Sequence, residues 1–261
     1  MELGKDAGGT RSPVALVVLR KRWALGIVVA TLVSWAFLAW VALDMGHPFV
    51  QLMMPASSNW TGLNVLALSC MWTVMMAAMM LPSALPMVVT FVTVAERNGD
   101  VARGRVFVAA YLAVWFIFSA VATAAQWALQ RIGWIDPMIV STSPLLTGAL
   151  LLIAGVYQFS RLKRICLSRC RTPFAFLLGE WRPGVGGAFV MGARHGLLCV
   201  GCCWALMALL FVGGVMNLAW VAALAIGVAA EKLMPLGDRL APVLGMMLVA
   251  LGSIRLLAIL A

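Results

Sequence analysis

The sequence predicts an all-α fold, a polytopic bundle of about seven transmembrane helices with the N-terminus inside and the C-terminus outside. Three observations predict it. Hydrophobic residues make up 64% of the 261 and charged residues only 11%, too few to clothe a soluble exterior. The apolar residues fall into stretches close to the ~20 residues that a hydrocarbon layer ~30 Å thick demands of a helix. The basic residues are segregated as well: with successive stretches running in opposite directions, all but Arg131 and Arg255 of the 19 Lys and Arg lie on the side of the N-terminus, as cytoplasmic flanks do. That segregation also accounts for the net charge of +10, which is topological and calls for no nucleic acid.

Residues 1–22 read as a cytoplasmic tail and 23–261 as a single membrane domain, since no loop is long enough for a soluble one and no internal repeat is visible. The first stretch, 23–43, follows Arg20, Lys21 and Arg22 in the manner of a signal peptide. Its apolar run exceeds the ~7–15 residues of such a segment and lacks a small-residue cleavage site, so it is read as an anchor. The connection 44–61, with Met45, His47, Met53 and Met54, reads as a short interfacial helix. Stretch 63–95 is interrupted by Pro82 and Pro86. Proline frees backbone carbonyls, which a membrane tolerates only against protein or trapped water, so this helix is expected to face the bundle interior. Stretches 106–130 and 144–160 follow, then a cytoplasmic connection, 161–184. The fifth stretch, 187–212, is expected to enter the membrane near Arg194, with 185–193 as an interfacial or re-entrant lead-in. Stretches 216–230 and 241–260 complete the seven.

The fifth stretch carries the chemistry. In "RHGLLCVGCCWALM", 194–207, His195, Cys199, Cys202 and Cys203 share one arc about 100° wide on a helical wheel. Thiolate and imidazole suit Zn, Cu(I) and iron, while the bland alternative for any one buried cysteine is packing. A single helix approaches an ion from one side only, so partners are needed, and Cys166 and Cys170, spaced i, i+4 in the 161–184 connection among Arg and Lys, are the candidates. On the second stretch Met76, Met79 and Met80 form another stripe, with Trp72 and Ser83. Thioethers suit Cu(I), although Met-rich helices also serve as adaptable packing. Cys70 points away from that stripe. Near the inner face, Tyr157 and Gln158 could hydrogen-bond the ligands. Glu231 would oppose the helix dipole and need a cation, from Lys163, Arg164, Arg194 or a metal. Lys232 reads as an interfacial anchor.

At these residues the chain resembles a bacterial family of integral membrane proteins described as predicted metal-binding, a domain of unknown function. The pieces that carry the resemblance are "MWTVMMAAMMLPSALP" (71–86), "GVYQFSRLKRICLSRCRTP" (155–173), the 194–220 segment with His-x3-Cys-x2-Cys-Cys, and Glu231 with Lys232. Arg161 stands where that family usually has proline, which touches no proposed ligand. The resemblance implies metal binding without naming the metal.

Three functions are compatible with these residues. The first is Cu(I) handling, or Zn(II), near the cytoplasmic side of the bacterial inner membrane, with the bilayer and a metallochaperone or another membrane subunit as partners. Few ionisable residues line the outer halves of the helices, which favours delivery or cofactor assembly over transport. The second is a thiol-disulfide redox protein using the Cys199 and Cys202 pair or the Cys166 and Cys170 pair, and the third a structural subunit whose thiols merely pack. No nucleophile, base and orienting acid occur together and no phosphate-binding glycine pattern follows a strand, so catalysis by hydrolysis or nucleotide use is not expected.

Overall fold

A computed structural model describes residues 13–55, 59–97 and 101–260. Most of the expected tail, with Lys5 and Arg11, lies outside them. The described part is helical, because α1 runs over Pro13–Leu43 and takes in Arg20, Lys21 and Arg22. There follow α2 (Pro48–Gln51), α3 (Gly62–Arg97), α4 (Val101–Arg131), α5 (Pro144–Tyr157), α6 (Arg161–Arg171), α7 (Pro173–Glu180), α8 (Gly184–Ala208), α9 (Leu210–Gly213), α10 (Leu218–Leu233) and α11 (Gly237–Leu260). No strand occurs among the described residues. The sequence marks several starts: Ser143, Ser160 and Asn217 each accept a backbone N–H of the first turn that follows, relieving donors a helix start leaves unpaired. His47 does the same for α2, so it is a cap of the expected short helix.

Five helices are long and apolar enough to cross a membrane, and a sixth span counts if α5 and α6, bent by 64°, are one. The difference from seven lies in α5 and α10. Their 14 and 16 residues give only about 21 and 24 Å at the rise of an α-helix. The fourth apolar stretch thus ends at Tyr157 and turns sharply into α6. The 161–184 connection is largely helical, not a loop, and α6 buries Lys163, Cys166 and Leu167. The re-entrant form of the lead-in expected at 185–193 is corrected too: α8 runs unbroken from Gly184 through Arg194. That guanidinium is accommodated at the surface by an ion pair with Glu180.

The core forms around α3, which packs along α1 and α4 and meets α10. Helix α8 lies along α4, α6 leans on α8, and α5 runs beside α11. The proline-interrupted α3 faces inward as expected, with Met71, Met75, Met76, Met79 and Met80 all buried. Close approach between α4 and α8 depends on Gly192, where a Cβ would strike the Phe107 carbonyl. That approach sets Tyr111 of α4 opposite Cys199 of α8.

Candidate metal centre

His195, Cys199, Cys202 and Cys203 are all buried on the inward side of α8. Cys202 and Cys203 direct their thiols back to the Cys199 carbonyl, at 3.1 and 3.0 Å, a common resort of a helical side chain one turn on. Around Cys199 and Cys203 a sulfur-rich cluster closes. The Cys199 sulfur lies 3.2 Å from the Tyr111 hydroxyl and 2.9 Å from Lys232 Nζ. Lys232 also reaches Ser83 Oγ at 3.3 Å and Met80 Sδ at 3.7 Å, and Met80 Sδ is 4.0 Å from Cys203 Sγ. Cys199 and Cys203 on α8, Met80 and Ser83 on α3, Tyr111 on α4 and Lys232 on α10 therefore meet in one buried place. Three of these six groups are sulfurs and none is a carboxylate.

A second polar cluster adjoins it along α10, where Glu231 directly precedes Lys232. Lys163 on α6 donates to Glu231 Oε2 on α10 at 2.6 Å, both being almost wholly buried. Gln158 is buried as well. The Cys166 sulfur packs against Gly201 of α8, where an added Cβ would come within 2.8 Å of it, and Cys170 stands one turn further along α6. Tyr157 donates to the Gly201 carbonyl, so it braces α8 and spends its hydroxyl on backbone.

Other predicted positions are not brought to the sulfurs. His195 stands in an aromatic box, its ring 5.6 Å from Tyr111, 6.2 Å from Phe107 and 5.7 Å from Phe176, with Nδ1 unpartnered. Met76 and Met79 are buried in the core, and Met80 is the member of their stripe that touches the thiols. Cys70 is exposed. Among the described residues no three His, Cys, Asp or Glu side chains form a group able to hold one ion. The donors are distributed, and the sulfur cluster depends on a thioether.

A protein-family profile described as PpoB2, copper chaperone, matches residues 69–255. The chain belongs to that family. No curated protein and no solved structure matches it. The stretch matched to the PpoB2 family contains both clusters entire and leaves out α1.

Two residues of this PpoB2 protein escape a reading by sequence pattern. Lys232 is a buried member of the sulfur cluster, not an interfacial anchor; its place at the last turn of α10 was readable, its inward direction was not. Tyr111 lies in an unremarkable apolar stretch of α4 and becomes visible only when Gly192 lets α4 and α8 close. Glu231, by contrast, needed a cation, and Lys163 supplies it.

Proposed function

We propose that this PpoB2 protein is an integral protein of the bacterial inner membrane that binds Cu(I) as cargo through sulfur, for delivery or cofactor assembly. The observation that carries the reading is that Met80 Sδ lies 4.0 Å from Cys203 Sγ and shares Lys232 Nζ with Cys199 Sγ, all of them buried. Thiolate and thioether donors select Cu(I). A structural Zn(II) site wants four N, S or carboxylate ligands in a tetrahedron, which this cluster does not offer. Cys202, Cys166, Cys170, His195, Met76 and Met79 are further candidate donors, and the Lys163–Glu231 pair and the Tyr157 bond to Gly201 brace α6, α10 and α8 behind them.

Counting α5 with α6 as one broken span and α10 as a short one makes seven passes, which puts the N-terminus inside and the C-terminus outside in keeping with the basic residues. A short span is tolerated by local thinning of the bilayer at modest cost. Among the described residues the buried charged or imidazole side chains are Arg103, Lys163, His195, Glu231 and Lys232, all in the inner half under this topology. A transport path would want some in the outer half too, so handover to a metallochaperone or a second membrane subunit on the cytoplasmic side is favoured.

Purified full-length protein, loaded with Cu(I) and stripped of loose metal by a chelator, is expected to retain about one copper per chain. Retention should fall at least tenfold in Cys199→Ser and Cys203→Ser and much less in Cys70→Ser. Copper content indifferent to the first two substitutions overturns the reading. The redox alternative makes a different demand: oxidant, not chelator, would change which thiols alkylate.

A further inference from the structure

A cleft of about 520 Å³ opens where α1 and α4 both pack along α3, and none of the residues lining it belongs to either cluster. On α1 the lining recurs at the spacing of one helix face: Trp23, Gly26, Ile27 and Ala30, with Arg22 at the start. Helix α4 faces them with Arg105, Val108 and Leu112, and Leu81 of α3 lines the cleft as well. As alternate spans under the topology above, α1 and α4 run the same way, so Arg22 and Arg105 both stand at the inner end of the cleft and the apolar lining continues outward. Both arginines are exposed and neither forms an ion pair with a described residue. Among the described residues no carboxylate lines the cleft.

We infer that this cleft holds one anionic phospholipid of the inner leaflet, its phosphate on Arg22 and Arg105 and an acyl chain against the apolar walls of α1 and α4. The inference rests on the membrane topology above and is independent of copper. Guanidinium groups present paired N–H donors that match phosphate oxygens, and basic pockets between spans on the cytoplasmic side suit lipid head groups. A free phosphate would use the arginines and leave the wall uncovered, since the lining runs on for about 12 Å of helix from Arg22 to Ala30. A zwitterionic lipid would bring its own ammonium against two guanidiniums. The volume falls within the ~300–1,000 Å³ of small-molecule sites. Gly26 keeps the wall open: a Cβ added there would meet no atom within 4 Å, so no helix contact requires glycine at that position.

The test titrates the full chain, in a non-ionic detergent, with phosphatidylglycerol and in parallel with phosphatidylcholine, and counts retained lipid by native mass spectrometry. Wild type is expected to retain one phosphatidylglycerol, with a preference over phosphatidylcholine of about tenfold or more. Arg22→Gln combined with Arg105→Gln should abolish that preference. Gly26→Leu, which fills the cleft and leaves every charge in place, should weaken retention severalfold. Arg20→Gln with Lys21→Gln alters the same flank outside the cleft and should leave both preference and retention as in wild type, and a large excess of inorganic phosphate should not displace the lipid. A preference that survives loss of Arg22 and Arg105, or falls equally with Arg20 and Lys21, overturns the site, because the charge of the whole flank would then be responsible. Retention indifferent to Gly26→Leu overturns it too, as does full displacement by phosphate, since the acyl chain would then have no part. The arginine and glycine variants act on different parts of the cleft, so if one does not fold the other decides. Wild-type protein that stays monodisperse without detergent sinks the membrane topology instead, a failure distinct from any of the lipid counts.

Discussion

Two lysines lie inside this bundle, and they are held in opposite ways. Lys163 has a carboxylate, Glu231, at 2.6 Å. Lys232, the very next residue after that carboxylate, has no carboxylate and rests among the Cys199 sulfur, the Met80 sulfur and the Ser83 hydroxyl. Adjacent positions on a helix point about 100° apart, so one turn of α10 serves two environments: a compensated ion pair that locks α6 to α10, and a cation set among soft donors. The first is an arrangement for holding helices together. The second leaves the ammonium donating to sulfur and hydroxyl acceptors, with no carboxylate in the arrangement.

The comparison makes its largest demand on Glu231. Removing one partner of a buried pair leaves the other charge without compensation, at a cost of roughly 3–5 kcal/mol. Glu231→Gln is therefore expected to lower the thermal midpoint of the detergent-solubilised protein by more than any substitution in the sulfur cluster. A midpoint within a degree or two of wild type would mean that α6 and α10 are not locked by this pair.

A finer discrimination comes from replacing each lysine by leucine. Lys163→Leu strands the Glu231 carboxylate in the interior, whereas Lys232→Leu removes a cation that has no carboxylate to strand, and a buried charge exchanged for an apolar side chain is often tolerated. Lys163→Leu should be the more destabilising of the two by about 2 kcal/mol or more, measured by chemical or thermal unfolding of the two variants in parallel. Equal losses would show that Lys232 depends on an anion that these contacts do not include.

Much of this was legible in the chain, and the parts that were not have physical causes. The helical class, the inward-facing Met80 helix with its two prolines, and the common face of Cys199, Cys202 and Cys203 follow from hydropathy and a 3.6-residue repeat, which are local properties. Glu231 could be seen to need a cation, and Lys163 was among those proposed, because a charge in an apolar segment states its own requirement. That Tyr157 and Gln158 end the fourth helix was legible, but the 64° turn into α6 was not, since nothing in that apolar run forecasts its angle. Nor were the roles of Lys232 and Tyr111, whose directions are set by how α4, α8 and α10 pack. His195 shows the converse: its helical register with the cysteines was read correctly, yet the aromatic rings of Phe107, Tyr111 and Phe176 claim the imidazole.

A third pair sharpens the contrast from the opposite extreme. Arg171, at the end of α6, binds Asp238 at the start of α11, but Asp238 is 77% exposed, so water and salt already screen the attraction. Exposed pairs contribute about 0–1 kcal/mol. Arg171 also donates to the carbonyls of Met234 and Pro235, and those two bonds close the turn between α10 and α11 without the carboxylate. Asp238→Asn is accordingly expected to cost less than about 1 kcal/mol and to show a still smaller cost in high salt, by the same unfolding measurement. If instead it rivals Glu231→Gln, the charge pair at the surface governs the packing of α6, and burial is not what separates a locking pair from an incidental one in this bundle.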